Sequence, residues 1–268
     1  MNKLEYINNK DEFEQILSLT RKRSSMTNIS PTLKQYYQLI KQQKLFYFRQ
    51  NLSVMFFEKN DECYKCTFVL NGDEIYIPTL DKPVISSVIT RKTSNNDKII
   101  NIMKAIGFQE YMKHEKWKVT NDKIKHQSSN DNIQCEFAKE VLVKDIYHAL
   151  QITFDTYTEP IPSQQELYEL ISKNQIITAM SDLGVLMGTL VFSVKDGISN
   201  LEHIVTLEGY RNRGIAKTMC NLWLNSLSND CNLFTLWVRE NNISAKKLYE
   251  SFGFVDDGRI SIELLLKK

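Results

Sequence analysis

Apolar positions in this chain recur with two periods, and the change of period marks its elements. Phe13, Ile16 and Leu17 lie at helical spacing within residues 8–20, and Tyr36, Leu39 and Ile40 do so within 31–43, where Pro31 suits a first helical position. Extended runs are predicted at 45–50, 52–58 and 63–70, then at 75–77 and 84–90, with Asn71-Gly72-Asp73 as a turn and Pro78 and Pro83 in the last connection. A helix is predicted over 95–106, stopped at Gly107, and a strand over 108–119. Residues 120–132 are polar, with Ile124 as the one large apolar side chain, and read as a domain boundary.

The second half opens with a strand at 133–139 and a helix at 143–154. Ser163, with Glu166 three residues on, has the capping-box pattern for a helix over 163–172. Strands are predicted at 175–180, 185–194 and 198–207. After a glycine-containing turn, Ile215, Met219, Leu222, Trp223 and Leu227 return to helical spacing. A strand at 232–239, a helix at 242–252 and a strand at 259–267 complete the series. Strands alternating with helices predict an α/β (α+β) class with a mixed sheet.

The halves also resemble each other. Residues 95–108 align with 241–254 at an offset of 146 (253 − 107), placing Met103 on Tyr249 and Gly107-Phe108 on Gly253-Phe254. Each copy ends a helix at glycine and begins a strand with phenylalanine. Between Leu70 and Val84, however, the first half has 13 residues, two of them proline, where the second has about 25 with a turn and a helix. The shorter gap is too small for both.

Composition narrows the classes. With 34 basic against 32 acidic residues the net charge is +2, which gives no global argument for nucleic-acid binding. No apolar run reaches membrane-spanning length and no signal-peptide core is present. Five scattered cysteines do not suggest a disulfide framework. A cytoplasmic protein with no membrane partner, monomeric or homodimeric, is the expectation.

The chemistry concentrates in Leu201–Ala216 and the helix after it. A strand running through a turn into a helix gathers unpaired N–H groups at the positive end of the helix dipole, an anion site. Gly214 permits close approach, and Arg211, Arg213 and Lys217 add charge. Arg211-Asn212-Arg213-Gly214-Ile215-Ala216 resembles the [QR]-x-x-G-x-[GA] loop of the GNAT superfamily of acyl-CoA-dependent N-acyltransferases. Downstream, Asn242-Ile243-Ser244-Ala245-Lys246-Lys247-Leu248-Tyr249 with Gly253-Phe254 resembles its N-x-x-A-x-x-L-Y-x-x-x-G-F signature. The two motifs occur in the right order with a strand between them. The resemblance covers roughly 133–268 and, through the repeat, extends faintly to the first half.

The resemblance implies two GNAT-like domains in tandem: a degenerate one at 1–125 without the pyrophosphate loop, and an intact one at 132–268. It implies acetyl-CoA as donor, no metal, and direct attack on the thioester by the amine of a small-molecule or peptide acceptor. The amides of Arg211, Asn212, Arg213, Gly214, Ile215, Ala216 and Lys217 would bind pyrophosphate. The backbone of Ile204, Val205 and Thr206, on a strand splayed from its neighbour, would pair with the pantetheine arm, and Asn242 would bind nearby while capping its helix. Tyr249 matches the acid that protonates the departing thiolate. Glu202 is the favoured base because period-two alternation puts it on one face with Ile204 and Thr206; His203, on the opposite face, or a water are the alternatives. Glu208-Gly209 stands where many members have proline before the loop.

Other residues are set aside. Cys63 and Cys66 point to opposite faces of a strand, against both chelation and a disulfide. His114, His126 and His148 have no ligand spacing. Asp155 and Glu159 lie where related proteins often bind acceptors, and could bind an amine or be solvated. The rival functional reading is a non-catalytic coenzyme A-binding or regulatory protein on the same scaffold.

Overall fold

Two glycines 146 residues apart organise the architecture. Gly107 (φ +112°) and Gly253 (φ +91°) both occupy the left-handed region after a helix. Behind them the N–H groups of Phe108 and Phe254 bond back to Met103 and Tyr249 (3.0 and 3.1 Å), the doubled Schellman closure that fixes where each helix ends. The computed structural model describes residues 3–30, 33–72, 75–94, 97–127 and 133–267. Pro31, Asp73, the Asn95-Asn96 pair and residues 128–132 of the polar stretch lie outside them.

The first half runs β1 (Glu5–Tyr6), α1 (Lys10–Thr20), β2 (Met26–Thr27), α2 (Lys34–Lys41), β3 (Leu45–Gln50), β4 (Ser53–Lys59), β5 (Tyr64–Leu70), β6 (Val84–Arg91), α3 (Asp97–Ala105) and β7 (Gln109–Thr120). The second has β8 (Gln134–Phe137), α4 (Val143–Gln151), α5 (Gln164–Ser172), β9 (Ile176–Met180), β10 (Leu186–Lys195), β11 (Ile198–Thr206), α6 (Ile215–Ser226), β12 (Leu233–Arg239), α7 (Ile243–Ser251) and β13 (Val255–Leu266). Asn9 caps α1, and Ser163 with Glu166 forms the capping box of α5. Residues 75–80 form no strand. Pro78 lacks an N–H, and Ile75, Ile77 and Leu80 pack on the core instead. β13 starts earlier than predicted, because it carries the turn-like Asp256-Asp257-Gly258 inside the strand with Gly258 at φ +80°.

The repeat is sharper than the sequence alignment. α3 and α7 begin and end 146 residues apart (243 − 97; 251 − 105), as do β7 and β13 (255 − 109; 266 − 120). The chain forms two compact units, Met1–Lys113 with Ile260–Lys268, and His114–Arg259. These divisions fall inside β7 and β13, the first of them ahead of the polar stretch at 120–132, since each strand runs unbroken from one unit to the other.

Each unit is therefore completed by the other half's strand. In the first unit the order is β1-β3-β4-β5-β6-β13, with Leu264 fully buried in its core and Ser87 on β6 bonded to Glu263. In the second it is β7-β12-β11-β10-β9-β8, with β7 antiparallel to β12 from Thr120↔Leu233 to His114↔Arg239. Ending the chain after Arg259 should uncover the β6 edge and remove the buried Leu264 and Leu265. Losing one such side chain costs about 2–5 kcal/mol, so the first unit's cooperative melting transition should disappear from calorimetry.

In both units one strand pair is parallel and short. β11 and β12 pair from Ile198↔Leu233 to Leu201↔Leu236, and β5 and β6 at Tyr64↔Val84 and Lys65↔Ile85. Beyond these pairs the strands part, and the two units treat the gap differently. In the first, β2 pairs with the end of β5 (Thr27↔Val69, Met26↔Leu70). Asn28 then spans the opening: its Oδ1 accepts from Phe68 N (2.7 Å), while its Nδ2 donates to Cys66 O and Ser87 O. The gap is filled by the chain itself. No helix follows β5 among the described residues, and Met103 stands, fully buried, at the position matching Tyr249.

Candidate active site

In the second unit the gap stays open. β11 reaches Thr206, five residues past its last pair with β12, and the chain then makes a 3-10 turn (Glu208–Tyr210) and enters α6 at Gly214. Gly214 is the N-cap at φ +87°, ψ 2°, a left-handed conformation that costs other residues about 1–2 kcal/mol. The first helical N–H to reach a turn carbonyl is that of Thr218, to Gly214 O (3.0 Å). Among the described residues, no backbone carbonyl takes the N–H groups of Asn212 through Lys217. They are the unpaired donors of a helix start.

These donors border a cleft of about 520 Å³, lined among others by Val205, Arg211, Gly214, Lys217, Asn242 and Tyr249. It brings together Ile204, Val205, Thr206, Arg211, Asn212, Gly214, Ile215, Ala216, Lys217, Asn242 and Tyr249. Arg213 is not in the lining: its guanidinium donates to Gly209 O (3.0 Å) and lies over the Tyr210 ring. Arg211 Nε donates to Thr206 O (3.3 Å) across the mouth of the turn. Asn242 Oδ1 caps α7 by accepting from Ala245 N (3.1 Å). The buried Thr206 hydroxyl has no partner among the described residues.

A second cleft of about 240 Å³ adjoins the first, sharing Thr153, Ile204, Asn242, Ala245 and Tyr249 with it and adding Glu202, Phe154, Glu159, Trp237 and Arg239. Tyr249 therefore stands at the junction. Its ring is buried and 5.9 Å from that of Phe254, and its hydroxyl has no hydrogen bond among the described residues. Burial, reinforced by Cys220, raises the phenol far above its ordinary range, so it stays protonated.

Glu202 sits in a β-bulge. Val191 pairs with His203 but Phe192 with Leu201, leaving Glu202 as the extra residue on β11. The bulge breaks the alternation that grouped Glu202 with Ile204 and Thr206. Leu201 and Ile204 both join the core under α6, while His203 and Val205 turn to the side of α4. Glu202 Oε1 accepts from Ser193 Oγ (2.6 Å). His203 is buried against Phe154, 4.7 Å between rings, and lines neither cleft; burial, opposed by Glu202, lowers its pKa.

Glu159 was set aside in the sequence, yet it is a structural hub. Arg239 grips both carboxylate oxygens (Nε–Oε1 3.0 Å), His114 Nε2 lies 3.4 Å from Oε1, and Asp155 N donates to Oε2 (3.2 Å). Burial pushes its pKa up, but the His114 and Arg239 contacts outweigh it and hold the carboxyl at about 2. The sequence sign was an acid before Pro160-Ile161-Pro162, where a loop must be anchored. Thr153, Phe154, Trp237 and Arg239 were missed because their roles depend on the gap between strands. Among the described residues no group of three or more His, Cys, Asp or Glu gathers as a metal site, and no helix is long and apolar enough to cross a membrane.

Residues 143–254 match the model of the acetyltransferase (GNAT) family, from the start of α4 to the end of the Gly253-Phe254 cap. This stretch is a GNAT acetyltransferase domain. No curated protein matches the chain. Among solved structures, a GCN5-related N-acetyltransferase from Sphaerobacter thermophilus aligns at TM-score 0.61 and 14% identity over 80% of this chain and 76% of that one. A tandem GNAT protein from the clavulanic acid biosynthesis pathway aligns at TM-score 0.61 and 8% identity, over 100% of this chain and 98% of its own. A GNAT-family acetyltransferase from Colwellia psychrerythraea aligns at TM-score 0.57 and 14% identity over 99% and 100%. At such identities the likeness is one of fold, and it extends the GNAT architecture over the whole chain.

Proposed function

We propose that the second unit transfers an acetyl group from acetyl-CoA to an amine, and that the first unit is a degenerate copy without a donor site. The carrying observation is the pair of adjoining clefts, with unpaired amides at one end and Tyr249 at the junction. The site fits the donor chemically. The N–H groups of Asn212 through Lys217 and the Lys217 ammonium suit a pyrophosphate. The unpaired edge of β11 at Ile204, Val205 and Thr206, and Asn242 beside it, suit an amide-bearing arm.

Bound there, acetyl-CoA supplies a thioester carbonyl, and the net change is an amide in place of the thioester with the thiol released. Tyr249 gives its phenolic proton to the departing sulfur and takes back the second proton that the acylated nitrogen sheds. Glu202, on the wall of the second cleft, takes the proton that the acceptor's ammonium must lose, directly or through a water. Its position favours it over His203, which is packed away under Phe154. A backbone N–H of the bulged strand polarises the carbonyl.

Thiol release from acetyl-CoA in the presence of mixed amines tests the reading. Turnover that depends on the amine is expected. Cofactor binding in calorimetry with no turnover across a broad amine panel would leave a binding protein on a GNAT scaffold.

A further inference from the structure

The second cleft restricts what kind of amine can enter. Of its two carboxylates, Glu159 is committed to Arg239 and His114, and the same ion pair occupies Arg239. Among the described residues that line this cleft, no guanidinium is thereby left over for a carboxylate on a substrate. A further cation, Lys116, lies 5.2 Å over the Trp237 ring and donates to Asn200 Oδ1 (2.8 Å), which also accepts from Thr235. Burial, helped by Arg259 and opposed by Glu202, brings its pKa to about 8; it does not line the cleft, and its ammonium is held by Asn200 and the Trp237 ring. Glu202 is exposed, and its partner Ser193 carries no charge. The remaining walls are largely aromatic and aliphatic: Phe154, Trp237, Tyr249, Leu201 and Val238. At about 240 Å³ the space falls below the roughly 300–1,000 Å³ of drug-sized ligand sites.

We propose that this cleft takes a compact primary amine with an aromatic or apolar body and no carboxylate, its ammonium seated on Glu202. The assignment rests on the acyl-transfer reading above and adds a substrate class to it. A carboxylate brought in beside Glu202 would face like charge without an uncommitted cation among the described lining residues, a penalty of about 100-fold in affinity.

Calorimetry on the full chain with coenzyme A present, using phenethylamine, phenylalanine and trialanine as probes, tests this. Phenethylamine should bind about 100-fold more tightly than phenylalanine, and Glu202→Gln should weaken phenethylamine by about 10-fold or more. Glu159→Gln, which releases Arg239 to meet an anion, should narrow the phenethylamine-to-phenylalanine ratio by about 10-fold. Should that variant fail to fold, Glu202→Gln decides alone. Phenylalanine or trialanine binding as well as phenethylamine, or phenethylamine not binding, would overturn the assignment. Thiol release measured in parallel separates the two claims. Glu202-dependent binding of phenethylamine without thiol release leaves the cleft assignment standing and removes acyl transfer; thiol release with trialanine alone does the reverse.

Discussion

Replacing Gly214 by aspartate is expected to abolish coenzyme A binding in calorimetry, a loss of more than about 100-fold. The expectation can be separated from unfolding. A Cβ at Gly214 would meet Ile133 Cδ1 at 3.8 Å, an ordinary contact, so no neighbour is displaced. A negative side chain at the start of α6 is favoured by the helix dipole, which offsets part of the left-handed strain of about 1–2 kcal/mol. The same carboxylate then takes donors that the proposed function assigns to pyrophosphate, and repels that group. Gly214→Ala carries the strain without the charge and should keep most of the affinity. Unchanged binding in Gly214→Asp would remove the loop from the donor site.

Tyr249→Phe should lower turnover by about 100-fold or more, with coenzyme A affinity and the melting temperature nearly unchanged. The ring is what packs against Phe254, and phenylalanine retains it. The hydroxyl makes no hydrogen bond among the described residues, so deleting it leaves no stranded partner in the free protein. Because burial holds the phenol protonated through the neutral range, its ionisation should not shape the pH–rate profile there. Thiol-release kinetics with parallel calorimetry decide the matter; wild-type turnover at every pH would end the acid role.

The sequence was most legible where local chemistry sets structure. Ser163-x-x-Glu166, Gly107, Gly214 and Gly253 each impose a backbone conformation on their own neighbours, and each element boundary they mark was predicted closely. The wall of the larger cleft around Gly214 is built from such a segment, which is why the cleft gathers residues that lie close together in the chain. The second cleft is assembled from four separate segments. Glu159 meets Arg239 across 80 residues, and no period along the chain signals that pairing. The bulge at Glu202 was hidden for a related reason: alternation counts residues along one strand, whereas a bulge is a mismatch between two. β2 is only two residues long, and its place between β5 and β6 depends on the side chain of Asn28.

The exchanged strands also bear on how such a chain can change over generations. A duplicated domain that has lost its own site is usually expendable, since deletion removes nothing the active copy needs. Here, deletion of everything before residue 121 would also remove His114–Thr120, the partner of β12, the strand that bears Arg239 and Trp237. On the proposed reading of the first unit as a degenerate copy, a single deletion of that copy would take with it a strand that the second unit's sheet uses. On that reading the first unit's chemistry is dispensable, but its last strand is not.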